Sequence, residues 1–118
     1  MIRAGVGYST ALNPRIAAAE ATAAALSQAG IARATGALCF ATSAYGAAYQ
    51  MIVRAVVSEA GTRELAGCSS VGVIAGETEI ETGQALAVMV FGGDELNATR
   101  FFVPTLRGRA AGVAADIA

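Results

Sequence analysis

Apolar residues recur with strand and helix periods in the first half of the chain. Residues 2–8 form a short apolar segment interrupted by glycine, which is typical of a strand. Asn13 followed by Pro14 predicts a helix start, because the Asn side chain can accept from free backbone amides and Pro lacks the N–H that would stay unpaired. Strong helix formers then run to Ala29, and Gly30 is a C-terminal cap. The helix over 14–29 has four apolar residues recurring on one face: Ile16, Ala19, Ala23 and Leu26.

The same pattern then repeats. Residues 37–41 are a continuous apolar run, typical of a strand covered on both faces. A second helix is predicted over 47–60, ended by Gly61, and a third strand over 63–68. The order β-α-β-α-β predicts a parallel three-stranded unit with helices packed on it. The apolar face of the second helix consists of Tyr49, Ile52, Val53, Val56 and Val57.

The second half of the chain has strand signals separated by short polar or glycine-rich turns. They predict a β-meander over residues 71–74, 77–82, 84–91 and 97–106. The run Gly92-Gly93-Asp94-Glu95 is interpreted as the turn of a hairpin between the last two segments.

Three glutamates alternate with less charged residues around residue 79. Glu77, Glu79 and Glu81 could form a cation site, but a solvated edge strand is the preferred interpretation, since like charges there resist edge-to-edge aggregation.

The predicted fold class is α/β, with the parallel unit followed by a meander in the same or an adjoining mixed sheet. Residues 1–106 are expected to form one domain, and residues 107–118 an Ala- and Gly-rich tail that could begin another helix. No evident element covers the second face of the meander's sheet. The chain is therefore expected to be a fragment of a longer protein.

Composition excludes several classes of function. The 118 residues are 55% hydrophobic and 14% charged, with a mean hydropathy of +0.55, which indicates a folded core rather than disorder. The net charge is −1 and the eight arginines are scattered, so no nucleic-acid partner is expected. No continuous apolar segment is long enough to span a membrane, because Arg33, Arg54 and the run from Glu77 to Glu81 break the candidates, and the start lacks a signal-peptide pattern. We expect a cytoplasmic protein with no membrane partner.

The chain contains no histidine, which removes the commonest general base and the usual imidazole metal ligand. Cys39 and Cys68 are too few for a structural zinc site. Gly5-Val6-Gly7 lacks the third glycine of a dinucleotide fingerprint, and there is no lysine for a P-loop. We expect no cofactor, no metal and no catalytic residues.

Small polar residues follow all three strands of the predicted parallel unit. Parallel strands end at a common edge, where open α/β sheets bind ligands, and two of these ends lead towards helix N-termini that favour anions. Helix capping alone could explain Ser9 and Thr42 or Ser43, but it does not explain the serines after the third strand. The expected ligand-binding residues are Ser9, Thr42, Ser43, Gly67, Cys68, Ser69, Ser70 and Gly72.

The order of these motifs resembles the N-terminal part of the FIST domain family. The resemblance rests on Gly5-Val6-Gly7-Tyr8-Ser9, the Ala-Ala-Ala-Glu-Ala run at 17–21, the strand end Ala41-Thr42-Ser43 and, above all, residues 67–74 beginning Gly-Cys-Ser-Ser-Val-Gly. It covers nearly the whole chain. The resemblance implies a cytoplasmic sensory module of signal-transduction proteins, with a small-molecule ligand such as an amino acid or another small anion. Members of the family usually continue into a C-terminal FIST half.

Two other functions remain open at the level of sequence. One is an enzyme that uses Cys68 as its nucleophile. The other is a protein-interaction module, in which an exposed edge of the meander pairs with another chain, in a homo-oligomer, or with a missing C-terminal FIST half. Ligand binding without catalysis is the preferred interpretation.

Overall fold

Six strands and three α-helices make up the protein in a computed structural model that describes residues 1–118. In chain order they are β1 (Arg3–Ser9), α1 (Pro14–Ala29), β2 (Gly36–Thr42), α2 (Tyr49–Ala60), β3 (Leu65–Ser70), β4 (Val73–Ala75), β5 (Thr78–Ile80), β6 (Leu86–Gly92) and α3 (Ala110–Ile117), with a 3₁₀ turn (Ser43–Ala48) before α2. The predicted α/β class is confirmed.

The main sheet has four strands in the order β1-β6-β2-β3. β2 and β3 are parallel, whereas β6 runs antiparallel to both of its neighbours, β1 and β2. The predicted unit of three adjacent parallel strands is therefore wrong in one respect. β1, β2 and β3 do share one direction, but the last strand of the sequence lies between the first two.

The predicted meander is also wrong. β4 and β5 pair only with each other, in a separate two-stranded sheet, and residues 97–106 form no strand. The N–H of Leu96 does donate to the carbonyl of Gly93, at 3.1 Å, so a turn follows β6, but it joins no hairpin. The cause is topological: β6 already has a strand on each side, so no edge of it is free to pair with the chain that follows.

Helix α1 has the predicted bounds because both of its ends are capped. The Asn13 side chain accepts from the N–H groups of Arg15 and Ile16, at 3.0 and 3.1 Å, and Gly30 adopts the left-handed conformation, with φ 69°. The predicted apolar face is wrong, however, since Ile16 is 48% exposed. The buried stripe instead consists of small residues: Ala17, Ala18, Ala21, Thr22, Ala25 and Ala29.

The first core lies between the helices and one face of the main sheet. α1 packs on β1, β6 and α2, while α2 also contacts β2. Its large buried side chains are Ile52 and Val56 of α2 and Leu86, Val88 and Val90 of β6. The β4–β5 hairpin covers only part of the opposite face, through Val73 and Ala75. No helix of the fold is both long enough and apolar enough to cross a membrane.

Candidate functional site

The carboxyl ends of β1, β2 and β3 lie at one edge of the main sheet. Ser9 is opposite Leu86, Leu86 is opposite Ala41, and Ala41 is opposite Ser69, so these residues form one row across the sheet. The start of β6 separates the end of β1 from the end of β2. The polar residues of the three ends therefore share an edge without meeting in one pocket.

Ser9 and Thr42 are buried, and their hydroxyls form hydrogen bonds within the protein. Ser9 Oγ donates to Glu20 Oε2 at 2.7 Å and accepts from the N–H of Ala11 at 3.2 Å. Thr42 Oγ1 donates to the carbonyl of Gly83 at 2.8 Å and accepts from the N–H of Ala85 at 3.0 Å. Both hydroxyls hold neighbouring segments of the chain to the strand ends.

Three further predicted residues have separate surroundings. Ser43 is exposed at the start of the 3₁₀ turn. The hydroxyl of Ser70 is buried and has no hydrogen-bond partner. A Cβ at Gly72 would lie 2.7 Å from the carbonyl oxygen of Ile80, so this glycine permits the chain to approach the end of β5.

The remaining three predicted residues, Gly67, Cys68 and Ser69, line a cavity between α2 and β3, which we call the α2–β3 cavity. Its volume is about 560 Å³, and 10 of its 13 lining residues are hydrophobic. The lining consists of Cys39, Ala41, Tyr49, Ile52, Val53, Leu65, Ala66, Gly67, Cys68, Ser69, Arg100, Phe101 and Phe102.

The cavity exists because large side chains on a helix oppose small ones on a strand. Tyr49, Ile52 and Val53 recur at helical spacing on α2 and line the cavity. On β3, a Cβ at Gly67 would collide with the carbonyl oxygen of Cys39, so close pairing with β2 requires glycine there. Gly67 itself adds no side chain to the cavity lining.

Arg100 is the only charged residue in the cavity lining. Its N–H donates to Glu64 Oε2 at 2.6 Å, and its side-chain Nη1 donates to the carbonyl of Arg63 at 2.8 Å. These bonds place the guanidinium beside the amino end of β3, and a guanidinium carries five N–H donors. One end of a largely apolar cavity therefore carries a cation with donors to spare.

The two cysteines differ in their surroundings. Cys39 is buried under the helices, and this burial raises the pKa of its thiol to about 11, so the thiol stays protonated at neutral pH. Cys68 is exposed on β3. An enzyme that uses Cys68 as its nucleophile stays a prediction.

No group of three or more His, Cys, Asp or Glu side chains is placed to hold a metal ion. Glu77, Glu79 and Glu81, for which a cation site was the alternative interpretation, lie at the β4–β5 hairpin, where Glu79 of β5 is exposed. This position corresponds to the solvated edge strand that was preferred for these glutamates from the sequence.

Sequence reasoning missed most of the cavity. Tyr49, Ile52 and Val53 were recognised only as the apolar face of a helix, and that spacing was the available signal. Nothing in the sequence could place Arg100, Phe101 and Phe102 there, because they reach β3 only through the path of the chain after β6.

Comparison with known proteins yields no matching protein-family model and no matching curated protein. The resemblance to the FIST family therefore stays a prediction from the motifs of the sequence.

Proposed function

We propose that this protein is a non-enzymatic ligand-binding domain, and that the α2–β3 cavity holds a small organic anion with an apolar body. The α2–β3 cavity itself carries the proposal. Its volume of about 560 Å³ lies within the range of roughly 300–1,000 Å³ that is usual for small-molecule sites.

The lining selects the class of ligand. Aromatic and aliphatic side chains from Tyr49, Ile52, Phe101 and Phe102 would bury an apolar group, which the hydrophobic effect favours. Arg100 would pair with a carboxylate, since its planar guanidinium matches carboxylate geometry. An apolar amino acid or an aryl carboxylate has both parts in one molecule.

Ser69 would supply the neutral polar contact. It is exposed on β3, and its side chain lies on the face of the sheet that α2 covers, in the row of Ala41. A hydroxyl can donate to a carboxylate or accept from an ammonium group. Ser69 would therefore suit an amino acid as well as a simple carboxylate.

The resemblance to the FIST family extends the proposal to a biological role. A cytoplasmic sensory module would use such a site to report the concentration of a metabolite to a signalling partner. Binding without chemistry fits a chain in which neither cysteine nor hydroxyl is paired with a histidine base.

The test is a thermal-shift and calorimetry screen of L-phenylalanine, L-leucine and phenylacetate, with neutral phenylacetamide as the matched control. At a ligand concentration about a hundred times Kd, binding stabilises the folded state by roughly 2.7 kcal/mol, which should raise Tm by roughly 5 °C or more. Phenylacetamide should bind more weakly than phenylacetate, because it cannot pair with Arg100.

Matched variants locate the site. Arg100→Met keeps the length of the side chain and removes its charge, so it should weaken phenylacetate binding about tenfold or more. Arg107→Met removes an exposed arginine outside the cavity and should leave the affinity unchanged. The proposal fails if none of the ligands shifts Tm, or if Arg100→Met binds phenylacetate as tightly as the unmodified protein.

A further inference from the structure

The outer edge of β3 is a free sheet edge. β3 is the last strand in the order β1-β6-β2-β3, so it pairs with β2 on one side and with no strand on the other. Arg100 lies near this edge, but its hydrogen bonds go to the side chain of Glu64 and the carbonyl of Arg63, which precede β3.

The register shows which backbone groups face outward. The N–H of Ala37 donates to the carbonyl of Glu64 at 2.9 Å, and Ala37 is opposite Leu65. In a parallel ladder, alternate residues direct both backbone groups to the same side, so the even-numbered residues of β3 face β2. Gly67 and Ser69 therefore direct an N–H and a carbonyl each to the outer side, where no backbone partner exists.

This edge lacks the features that usually prevent pairing with another chain. Natural edge strands carry charged residues, prolines or bulges. Residues 65–74 contain no charged residue and no proline. A six-residue neutral strand with outward donors and acceptors is suited to receive a second strand.

We propose that a second copy of this chain binds here, with the two β3 strands antiparallel across a two-fold axis, so that two four-stranded sheets become one of eight. Such an interface is self-complementary, as two-fold symmetry requires. The edge shares Gly67, Cys68 and Ser69 with the lining of the α2–β3 cavity, but the proposal does not require a ligand there.

The distribution of charge along β3 suits a second copy in the antiparallel orientation. The amino end of β3 is charged, through Arg63, Glu64 and Arg100, while the carboxyl end is neutral through residues 70–74. Antiparallel pairing places the charged end of each copy beside the neutral end of the other. No like charges then meet, and like charges opposed across an interface would cost several kcal/mol.

The register with Cys68 on the two-fold axis fits best. It pairs Gly67 with Ser69, whose backbone groups both face outward, and it sets Val71, which is 87% exposed, against Leu65 of the second copy. Cys68 then faces Cys68 of the second copy in a non-hydrogen-bonded pair, with Cα atoms about 4.5 Å apart, a separation that a disulfide can span.

Sedimentation velocity over a wide range of protein concentrations tests the dimer, using Ser69→Pro and Ser69→Ala as a matched pair. Ser69→Pro removes an outward N–H without touching the ladder to β2, so it should yield a monomer. Ser69→Ala keeps that N–H and should remain a dimer. A protein that is monomeric at every concentration, or a dimeric Ser69→Pro variant, overturns the proposal, even if an added extended peptide binds the edge.

Val71 provides a second pair that does not depend on a proline being tolerated. Val71→Lys should weaken the dimer about threefold or more relative to Val71→Glu, since the facing end of the second copy carries Arg63, Glu64 and Arg100 and is positive overall. Equal dissociation constants for the two variants would contradict this register.

The oxidant diamide, which takes up two electrons and two protons as the disulfide forms, should cross-link the dimer through Cys68, and Cys68→Ser should abolish the product.

Discussion

The hydroxyl of Thr42 joins the end of β2 to the chain that enters β6. It donates to the carbonyl of Gly83 and accepts from the N–H of Ala85, a fully buried residue. Thr42→Val preserves the shape of the side chain but leaves that N–H without its hydroxyl partner, so we expect a loss of about 1–3 kcal/mol in the free energy of unfolding.

Urea denaturation measures this loss, and the neighbouring Ser43 provides the control. Because Ser43 is exposed and its side chain makes no hydrogen bond, Ser43→Ala should change the free energy of unfolding by less than about 0.5 kcal/mol. Equal stability of Thr42→Val and the unmodified protein would contradict the structural role assigned to this hydroxyl.

Burial of Cys39 predicts a loss of stability at alkaline pH. Its folded-state pKa is raised from 9.0 to about 11, so between these values the unfolded chain releases a proton that the folded protein retains. The contribution of Cys39 to the free energy of unfolding is fully present below pH 9.0. It is lost as the pH rises towards 11, by up to roughly 2–3 kcal/mol. Tyr45, whose pKa is raised by burial and then by the charge of Glu20, acts in the same direction.

The free energy of unfolding, measured from neutral pH upwards, shows this slope directly. Cys39→Ala removes the thiol and should flatten the alkaline part of the curve, although the variant is less stable at neutral pH through lost packing. An unchanged slope in Cys39→Ala would assign the pH dependence to another group.

At the scale of elements, two glycines of β1 determine how closely α1 approaches the sheet. A Cβ at Gly7 would collide with the carbonyl oxygen of Ala21 and lie 2.8 Å from both the Cβ of Ala24 and the nitrogen of Ala25. The helix side of this contact consists of small residues as well. The glycines of β1 and the small residues of α1 together let the backbones of the strand and the helix approach closely.

Gly7→Ala should therefore separate the helix from the sheet, with a cost of about 3 kcal/mol or more in the free energy of unfolding. Gly112→Ala is the control: nothing lies within 4 Å of the added methyl group in α3, and alanine favours a helix by up to about 1 kcal/mol. Thermal and urea denaturation compare the two variants. Similar stability for both would show that the close contact of β1 and α1 is not required.

The predictability of each element depended on whether its signals were local. Asn13, Pro14 and Gly30 fixed the bounds of α1, and Gly61 fixed the end of α2, because caps act within one turn. The segment 97–106 has strand composition but no strand, since pairing requires a free edge that only the assembled sheet could offer or deny. The buried face of α1 was likewise determined by the glycines of β1, which are remote in sequence.

The residues of the candidate site were likewise predictable only where the signal was local in sequence. Residues 67–69 were predicted as part of a ligand site and do line the α2–β3 cavity, since glycine and small polar residues on a strand are a local pattern. The prediction that Ser9 and Thr42 would join them assumed that β1 and β2 are neighbours. The intervening β6 separates them, and internal hydrogen bonds occupy both hydroxyls.

At the scale of the whole molecule, the two faces of the main sheet are unequal. The helices bury one face, while on the other Tyr8, Phe40 and Met89 remain 42%, 39% and 37% exposed beside the β4–β5 hairpin. The pattern of the sequence predicted a sheet face without a covering element, but in the predicted meander rather than in the main sheet. These three side chains form part of a surface on which other large apolar residues, such as Phe102 and Val71, are also exposed.

The position of β6 also determines when the protein can fold. β1 pairs with no other strand of the main sheet except β6. Residues near the start of the chain, such as Arg3, therefore find their strand partners only near residue 92. Pairing over such separations gives a high contact order and slow folding. On the ribosome, β1 and the β2–β3 pair emerge first and remain unjoined. Completion of the sheet is deferred until β6 leaves the exit tunnel, and until then the neutral edges of the early strands are open to association with other nascent chains.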